Sequence, residues 1–119
     1  MKILLVDDEV ELVSTLAERM TMRGIDADWA QSPAQAMEKV GSEAYDLAVL
    51  DVKMPGMSGL ELKRKLADIA PDMKYIFITG HGSSADFKEG SAEGSSYLVK
   101  PVALDLLMEK IREALSETA

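Results

Sequence analysis

The sequence contains no cysteine, which excludes both a disulfide framework and a thiolate metal site. Its one histidine, His81, has no second histidine or cysteine with which to share a metal, so we expect a solvated side chain there. Basic residues are also scarce: 13 lysines and arginines stand against 21 acidic residues, and the formal net charge is -8. Such a surface repels phosphate backbones and anionic lipid, so we expect no direct contact with nucleic acid or membrane.

Long hydrophobic runs are missing as well. Only four apolar residues separate Lys2 from Asp7, too few for the core of a signal peptide, and no later stretch approaches the length of a membrane span. We therefore expect a cytoplasmic protein. Hydrophobic residues still make up 47% of the 119 residues, enough for one ordinary core, which predicts a single domain over residues 1–119.

The chain does contain a regular alternation of β-rich runs and amphipathic segments. Runs of β-branched and other apolar side chains predict strands at residues 2–6, 25–30, 47–50, 75–79 and 97–99. Helices are predicted from residue 9 to a stop at Gly24, from a Ser32 cap to a stop at Gly41, from a Ser58 cap to residue 69, and along the apolar stripe from Leu104 to Leu115. This order predicts an α/β fold, a five-stranded parallel sheet with helices on both faces and right-handed connections.

A further helix, the fourth, is expected between the last two strands, but residues 80–96 are rich in glycine and serine. Each glycine inside a helix costs about 1 kcal/mol relative to alanine, and only Ala85, Phe87 and Ala92 offer apolar contacts. We predict that this helix is short, displaced or mobile.

Charged residues follow three of the predicted strands at the point where each strand ends. Asp7 and Asp8 follow the first strand, Asp51 the third and Lys100 the last. The carboxyl ends of parallel strands meet at one edge of a sheet, where open α/β folds place their sites, so we expect these side chains to lie together. Three carboxylates can present oxygens to a hard cation such as Mg²⁺, which would neutralise an incoming phosphoryl group.

In such a site Asp51 would be a nucleophile, Lys100 a fixed positive charge, and Thr79 a hydroxyl donor to a phosphoryl oxygen. Each acidic or basic residue also has an ordinary interpretation: Asp7 and Asp8 could cap the first helix, Asp51 could belong to a turn, and Lys100 could be a solvated lysine. Their joint placement at one predicted edge favours the site.

Four motifs, each at the end of a predicted strand, resemble the receiver domain of two-component response regulators, the CheY-like superfamily, over essentially the whole chain. They are Leu5-Val6-Asp7-Asp8-Glu9, Asp51-Val52-Lys53-Met54-Pro55-Gly56-Met57-Ser58-Gly59, Ile78-Thr79-Gly80 and Tyr97-Leu98-Val99-Lys100-Pro101. The resemblance implies a (βα)5 flavodoxin-like fold with strand order 2-1-3-4-5. It also implies a phosphorylation-activated signalling switch, not an enzyme that turns over a diffusible substrate.

The resemblance assigns roles to individual residues. Asp51 would accept a phosphoryl group from a sensor histidine kinase or a phosphotransfer protein. Mg²⁺ would be held by Asp7, Asp8, Asp51 itself and the backbone carbonyl of Lys53. Lys100 would contact the phosphoryl group.

The same resemblance implies how the signal would spread. Thr79 would move toward phosphorylated Asp51, and Tyr97 would turn inward, which reshapes the face made by predicted helix four, strand five and helix five. That face would bind an output domain or a target protein, and phosphorylation could bring two copies of the chain together. The Lys100–Pro101 peptide bond, at residue Pro101, would be cis.

Two positions individualise this sequence within the resemblance. Lys53 and His81 stand two residues beyond Asp51 and Thr79, where receiver domains vary. Side chains there can influence the access of water to the phosphoryl group, so we expect them to tune the lifetime of phosphorylated Asp51.

Other functions fit the sequence less well. An aspartyl-phosphate phosphatase or phosphotransferase of Rossmann-like fold typically has a second acid two residues after its nucleophile, where this chain has Lys53. A flavodoxin-like flavin carrier would need hydroxyls and amides where Asp7-Asp8-Glu9 stands. A receiver relative that only binds partners would normally lack Asp51, Lys100 or the acidic pair. The sensor kinase, the pathway and the output stay open.

Overall fold

The computed structural model describes residues 1–80 and 96–116. Its elements run in the order β1 (Lys2–Val6), α1 (Val10–Met22), β2 (Asp26–Ala30), α2 (Pro33–Ser42), β3 (Leu47–Asp51), α3 (Gly59–Ile69), β4 (Lys74–Thr79), β5 (Ser96–Val99) and α4 (Leu104–Ser116). Helix α4 is the one that the sequence predicted as the fifth. The segment predicted as the fourth helix lies, apart from its two end residues, outside the described residues, and so does His81.

The five strands form one parallel sheet in the order β2-β1-β3-β4-β5. Strands β1 and β3 are central neighbours, with Val6 opposite Leu50, and Asp51 at the end of β3 lies opposite Ile78 of β4. The predicted α/β fold and its strand order are confirmed. The reversal of strand order between β1 and β3 is the position at which folds of this kind open a crevice at the carboxyl edge of the sheet.

Two hydrophobic clusters, one on each face of the sheet, hold the helices in place. Because successive side chains of a strand point to opposite faces, β1 contributes Leu4 and Val6 to one cluster and Ile3 and Leu5 to the other. Helices α2 and α3 pack on the first face, and α1 and α4 pack on the second. Three methionines contribute to these clusters: Met20 and Met108 are buried, and Met37 packs against the first cluster.

Capping residues explain where two of the helices begin. The Ser32 hydroxyl accepts the backbone N–H of Gln35, with Pro33 at the first helical position of α2. The Ser58 hydroxyl likewise accepts the N–H of Glu61 at the start of α3. Both caps were predicted, and α3 therefore starts immediately after the loop that follows Asp51.

The predicted stop of α2 at Gly41 is wrong by two residues, because the C-cap is Glu43. Gly41 lies inside the helix, where a Cβ atom added to it would meet no atom of another segment within 4 Å, and the helix ends at Ser42. The Ser42 hydroxyl donates back to the carbonyls of Glu38 and Lys39, so the last turn is closed by a side chain and not by a glycine.

None of the helices in the described ranges is long and apolar enough to cross a membrane.

Candidate functional site

The carboxyl edge of the sheet is tied together by backbone hydrogen bonds that continue past the strand ends. The Val52 N–H donates to the carbonyl of Ile78 at 2.8 Å, which holds the residue after Asp51 against β4. The Lys100 N–H donates to the carbonyl of Thr79 at 2.7 Å, which joins the ends of β4 and β5. The predicted site residues on these strands are therefore positioned by the sheet itself and not by a loose loop.

Three acidic side chains converge at this edge. Asp7, Asp8 and Asp51 each offer a carboxylate oxygen, and these oxygens lie within 4.8 Å of one another. Asp7 and Asp51 are buried, only 7% and 5% exposed, whereas Asp8 is open to solvent. An oxygen-only donor set with one side facing water fits Mg²⁺, which prefers carboxylate oxygens and retains several waters.

Lys100 reaches into the same cluster. Its Nζ atom lies 2.7 Å from Asp7 Oδ2, 2.8 Å from Glu9 Oε1 and 3.7 Å from Asp51 Oδ2, and its side chain is 15% exposed. Burial alone would lower the pKa of this ammonium, but hydrogen bonds to Asp7 and Glu9 and the charge of Asp51 outweigh burial and raise its pKa. Lys100 is therefore a permanent positive charge in the site.

Asp51 is a weaker acid than an ordinary aspartate. Burial is the largest cause, and the charge of Asp7 adds to it, so the pKa of Asp51 rises to about 7 even though Lys100 and a backbone hydrogen bond from Lys53 act in the opposite direction. A bound cation would favour the carboxylate form. The cluster thus holds more negative charge than the protein alone compensates.

The remaining predicted residues take different positions around this cluster. Thr79 is fully buried at the end of β4, and the Lys53 side chain is exposed beside the site. Tyr97 lies opposite Phe77, its hydroxyl oxygen is buried, and its ring packs against the cluster beneath α2 and α3. The Lys100–Pro101 peptide bond is cis, as the resemblance predicted.

The helix-capping alternative for the first acidic pair is wrong, because the N-cap residue of α1 is Glu9 and no side chain accepts a capping hydrogen bond there. Asp7 Oδ1 accepts the backbone N–H of Glu9 at 2.9 Å, immediately before α1 begins. This bond uses one oxygen of Asp7 and leaves Oδ2 directed at Lys100. Asp7 therefore stabilises the turn before α1 and takes part in the site with the same side chain.

Sequence reasoning gave no role to two residues that the site uses. Glu9 contacts Lys100, and its only sequence signal is a third consecutive acid after β1. Gly59 packs against the backbone of Asp51: a Cβ atom added at Gly59 would lie 2.4 Å from the Asp51 carbonyl oxygen. A glycine at the start of a helix, just after a cap, was the available signal for that close approach.

Together these groups form a site suited to receiving a charged oxyanion. A buried carboxylate faces a fixed ammonium and a pair of further carboxylates that can hold a cation, and a buried hydroxyl stands on the neighbouring strand. Phosphoryl transfer to a carboxylate needs such positioning and charge neutralisation more than covalent help from other side chains.

Comparison with known sequences points in one direction. The sequence profile described as "Response regulator receiver domain" matches residues 3–112. The transcriptional regulatory protein GlrR of Escherichia coli (strain K12) is 35% identical over 118 residues, which are 98% of this chain and 27% of that protein. The response regulator MprA of Mycobacterium leprae is 34% identical over 119 residues, 99% of this chain and 52% of MprA. The chain spans between about a quarter and a half of the length of these relatives.

Solved structures agree with the sequence comparison. A CheY-like response regulator receiver domain protein from Methanospirillum hungatei JF-1 has a TM-score of 0.89 and 32% identity, with 98% of this chain and 94% of that chain covered. The response regulator protein TrrA of Thermotoga maritima, solved in complex with Mg(2+)-BeF, has a TM-score of 0.82 and 34% identity, with 96% and 98% covered.

Proposed function

The chain belongs to the response regulator receiver domain family, and on that premise we propose that Asp51 is the side chain that accepts its phosphoryl group. Members of the family are phosphorylation-activated switches of two-component signalling, and this chain is one of them. The observation that supports Asp51 is its position: a buried carboxylate within reach of Asp7, Asp8 and the ammonium of Lys100.

The chemistry follows from these surroundings. A carboxylate oxygen of Asp51 attacks the phosphorus of a phosphohistidine while the P–N bond breaks, and the imidazole nitrogen keeps the electron pair of that bond. Asp7, Asp8, Asp51 and the backbone carbonyl of Lys53 would hold Mg²⁺. When bound there, Mg²⁺ supplies neutralisation of the charge on the phosphoryl oxygens. Lys100 contributes a second positive charge that is already in place, 3.7 Å from Asp51.

Transmission of the signal is assigned to Thr79 and Tyr97. The Thr79 hydroxyl would donate to a phosphoryl oxygen on Asp51, and Tyr97 would follow by occupying an inward rotamer. The buried Thr79 at the end of β4 and the position of Tyr97 on the adjoining strand β5 support this assignment, because these two strands connect the site with the face that carries β5 and α4. Lys53 and His81 are proposed to set how long the phosphoryl group survives.

The partners are proposals at the level of the whole protein, since the chain spans only part of its relatives. Receiver domains of response regulators work with histidine kinases and output domains. For this chain we expect a sensor histidine kinase or phosphotransfer protein as donor, and an output domain or target on the face made by the predicted fourth helix, β5 and α4. A phosphorylation-dependent homodimer and a cytoplasmic location belong to the same proposal.

The enzyme alternative is disfavoured by one residue. A phosphatase with an aspartyl nucleophile needs an acid two residues further on to protonate the leaving group. Lys53 occupies that position, so the chain has no carboxylic acid there to protonate a leaving group. Self-catalysed phosphotransfer and loss of the phosphoryl group are the catalysis that we assign to the domain.

The proposal is tested by intact mass. Wild type and Asp51→Asn are incubated with a small-molecule phosphodonor and Mg²⁺, and each is compared with a sample containing a chelator. We expect one added phosphate on wild type in Mg²⁺ alone and none on Asp51→Asn. An equal gain of one phosphate on both proteins would place the acceptor elsewhere.

A further inference from the structure

Lys100 lies near three carboxylates, those of Asp7, Glu9 and Asp51. Glu9 does not belong to the acidic cluster of Asp7, Asp8 and Asp51. We infer that Glu9 is a positioning residue: it holds the ammonium of Lys100 at the mouth of the site when Asp7 gives its oxygen to a cation. The inference deepens the proposed function and depends on the Mg²⁺ site proposed there.

Asp7 cannot serve both positive charges equally. Its Oδ1 accepts the Glu9 N–H at 2.9 Å, and its Oδ2 lies 2.7 Å from Lys100 Nζ. A divalent cation placed among Asp7, Asp8 and Asp51 would need an oxygen of Asp7 and would repel the ammonium beside it. Lys100 and the cation therefore compete for the same carboxylate.

Glu9 offers Lys100 an alternative partner. Its Oε1 is 2.8 Å from Lys100 Nζ, while the oxygens that converge on a common position belong to Asp7, Asp8 and Asp51 within the described part of the chain. When Asp7 turns to the cation, the ammonium keeps its bond to Glu9 and stays near Asp51, to which its present distance is 3.7 Å.

An ordinary surface ion pair would contribute little, and Glu9 is indeed 62% exposed. Lys100 differs from a surface lysine because its side chain is only 15% exposed. A largely buried ammonium needs partners, because without them the free-energy cost of removing it from water would not be compensated. Loss of Glu9 would therefore make Lys100 depend more strongly on Asp7, and cation binding would have to break that stronger bond.

The test is a calorimetric titration of metal-free protein with Mg²⁺ alone. Glu9→Gln is compared with Glu11→Gln, a matched loss of one negative charge on the exposed first turn of α1. We expect Glu9→Gln to weaken Mg²⁺ binding about 3- to 10-fold and Glu11→Gln to change it by less than about twofold.

A double-mutant cycle separates positioning from simple loss of charge. If Glu9 acts through Lys100, Glu9→Gln changes Mg²⁺ affinity less than about twofold once Lys100→Met is present. The same fold-change in both backgrounds, or no effect of Glu9→Gln in the wild-type background, would overturn the inference. Lys100→Gln replaces Lys100→Met if the latter does not fold. The titration does not require phosphorylation, so an unmodified Asp51 in the mass experiment would refute the acceptor assignment without deciding the role of Glu9.

Discussion

Asp51 combines burial with a neighbouring negative charge, and these two causes make its carboxylate costly in the metal-free fold. An acid whose pKa is raised in the folded state keeps its proton at pH values where the unfolded chain has lost it. The free energy of unfolding therefore falls as the pH rises from the ordinary pKa of 3.8 to about 7. The residue that is proposed to react is thus also a source of instability.

This cost predicts the effect of Asp51→Asn on stability. In a chelator, the unfolding free energy of the variant minus that of wild type should increase by about 2–4 kcal/mol between pH 4 and pH 8. The reason is that only wild type must ionise a buried carboxyl. Urea unfolding at several pH values measures the gap. A gap that stays constant over this range would show that Asp51 ionises in the fold as readily as in the unfolded chain.

Two buried tyrosines offer a second contrast between side chains. The Tyr75 hydroxyl is buried without a hydrogen-bond partner among residues 1–80 and 96–116, whereas the Tyr45 hydroxyl contacts the carboxylates of Asp28 and Glu43. Tyr75→Phe should raise the unfolding free energy by about 1 kcal/mol, and Tyr45→Phe should lower it by about as much. Equal and same-signed changes, measured by urea unfolding, would contradict this account.

Helices and strands position the site through their ends. The backbone next to Asp51 is held between the end of β3 and the first turn of α3, because the Gly59 N–H donates to the Val52 carbonyl at 2.8 Å. Gly59 lies so close to the Asp51 backbone that no larger residue fits without movement of one of the two elements. The contact between α3 and β3 is therefore a direct link between helix packing and site geometry.

Gly59→Ala tests this link, and Gly41→Ala is its control. The added methyl group at Gly59 should lower the unfolding free energy by about 1–3 kcal/mol and weaken Mg²⁺ binding, because the end of β3 must shift. The methyl group at Gly41 meets open space inside α2 and should raise stability by about 0.5–1 kcal/mol with unchanged Mg²⁺ affinity. Loss of stability without any loss of Mg²⁺ affinity in Gly59→Ala would limit Gly59 to packing.

Most of the sheet and its two helical layers could be predicted from the sequence. Runs of β-branched and other apolar residues, helical apolar stripes and the cap residues Ser32 and Ser58 are local signals, and they were enough for the order of the described elements. Strand order and the meeting of Asp7, Asp51 and Lys100 involve distant segments, and these came from the rule that parallel strands end at one edge, together with the family resemblance.

The contacts that were not foreseen have a common physical cause. Glu9 reaches Lys100 across 91 sequence positions, and Gly59 acts through the space that its missing side chain leaves. Neither a side-chain direction nor an interatomic gap is encoded in a local pattern. Ser42, which closes α2 one residue after Gly41, shows the same limit on a smaller scale, because its hydroxyl competes with glycine for the role of terminator.

The excess negative charge at the sheet edge predicts that a divalent cation stabilises the entire fold. At a concentration about 100 times its dissociation constant, Mg²⁺ should raise the unfolding free energy of wild type by about 2.7 kcal/mol. Asp8→Asn should lose most of this gain, and Asp68→Asn, which removes an exposed acid on α3, should retain it. Thermal unfolding in Mg²⁺ and in chelator gives both values, and equal gains in the two variants would argue for nonspecific screening.

The most direct measurement identifies the phosphorylated residue. Protein treated with phosphodonor and Mg²⁺ is reduced with borohydride, which converts an aspartyl phosphate to homoserine, and the peptides are then sequenced by mass spectrometry. We predict homoserine at position 51 in treated protein and aspartate there in the chelator control. Homoserine at Asp7 or Asp8, or at no acidic residue despite a gain of phosphate, would contradict the assignment of Asp51.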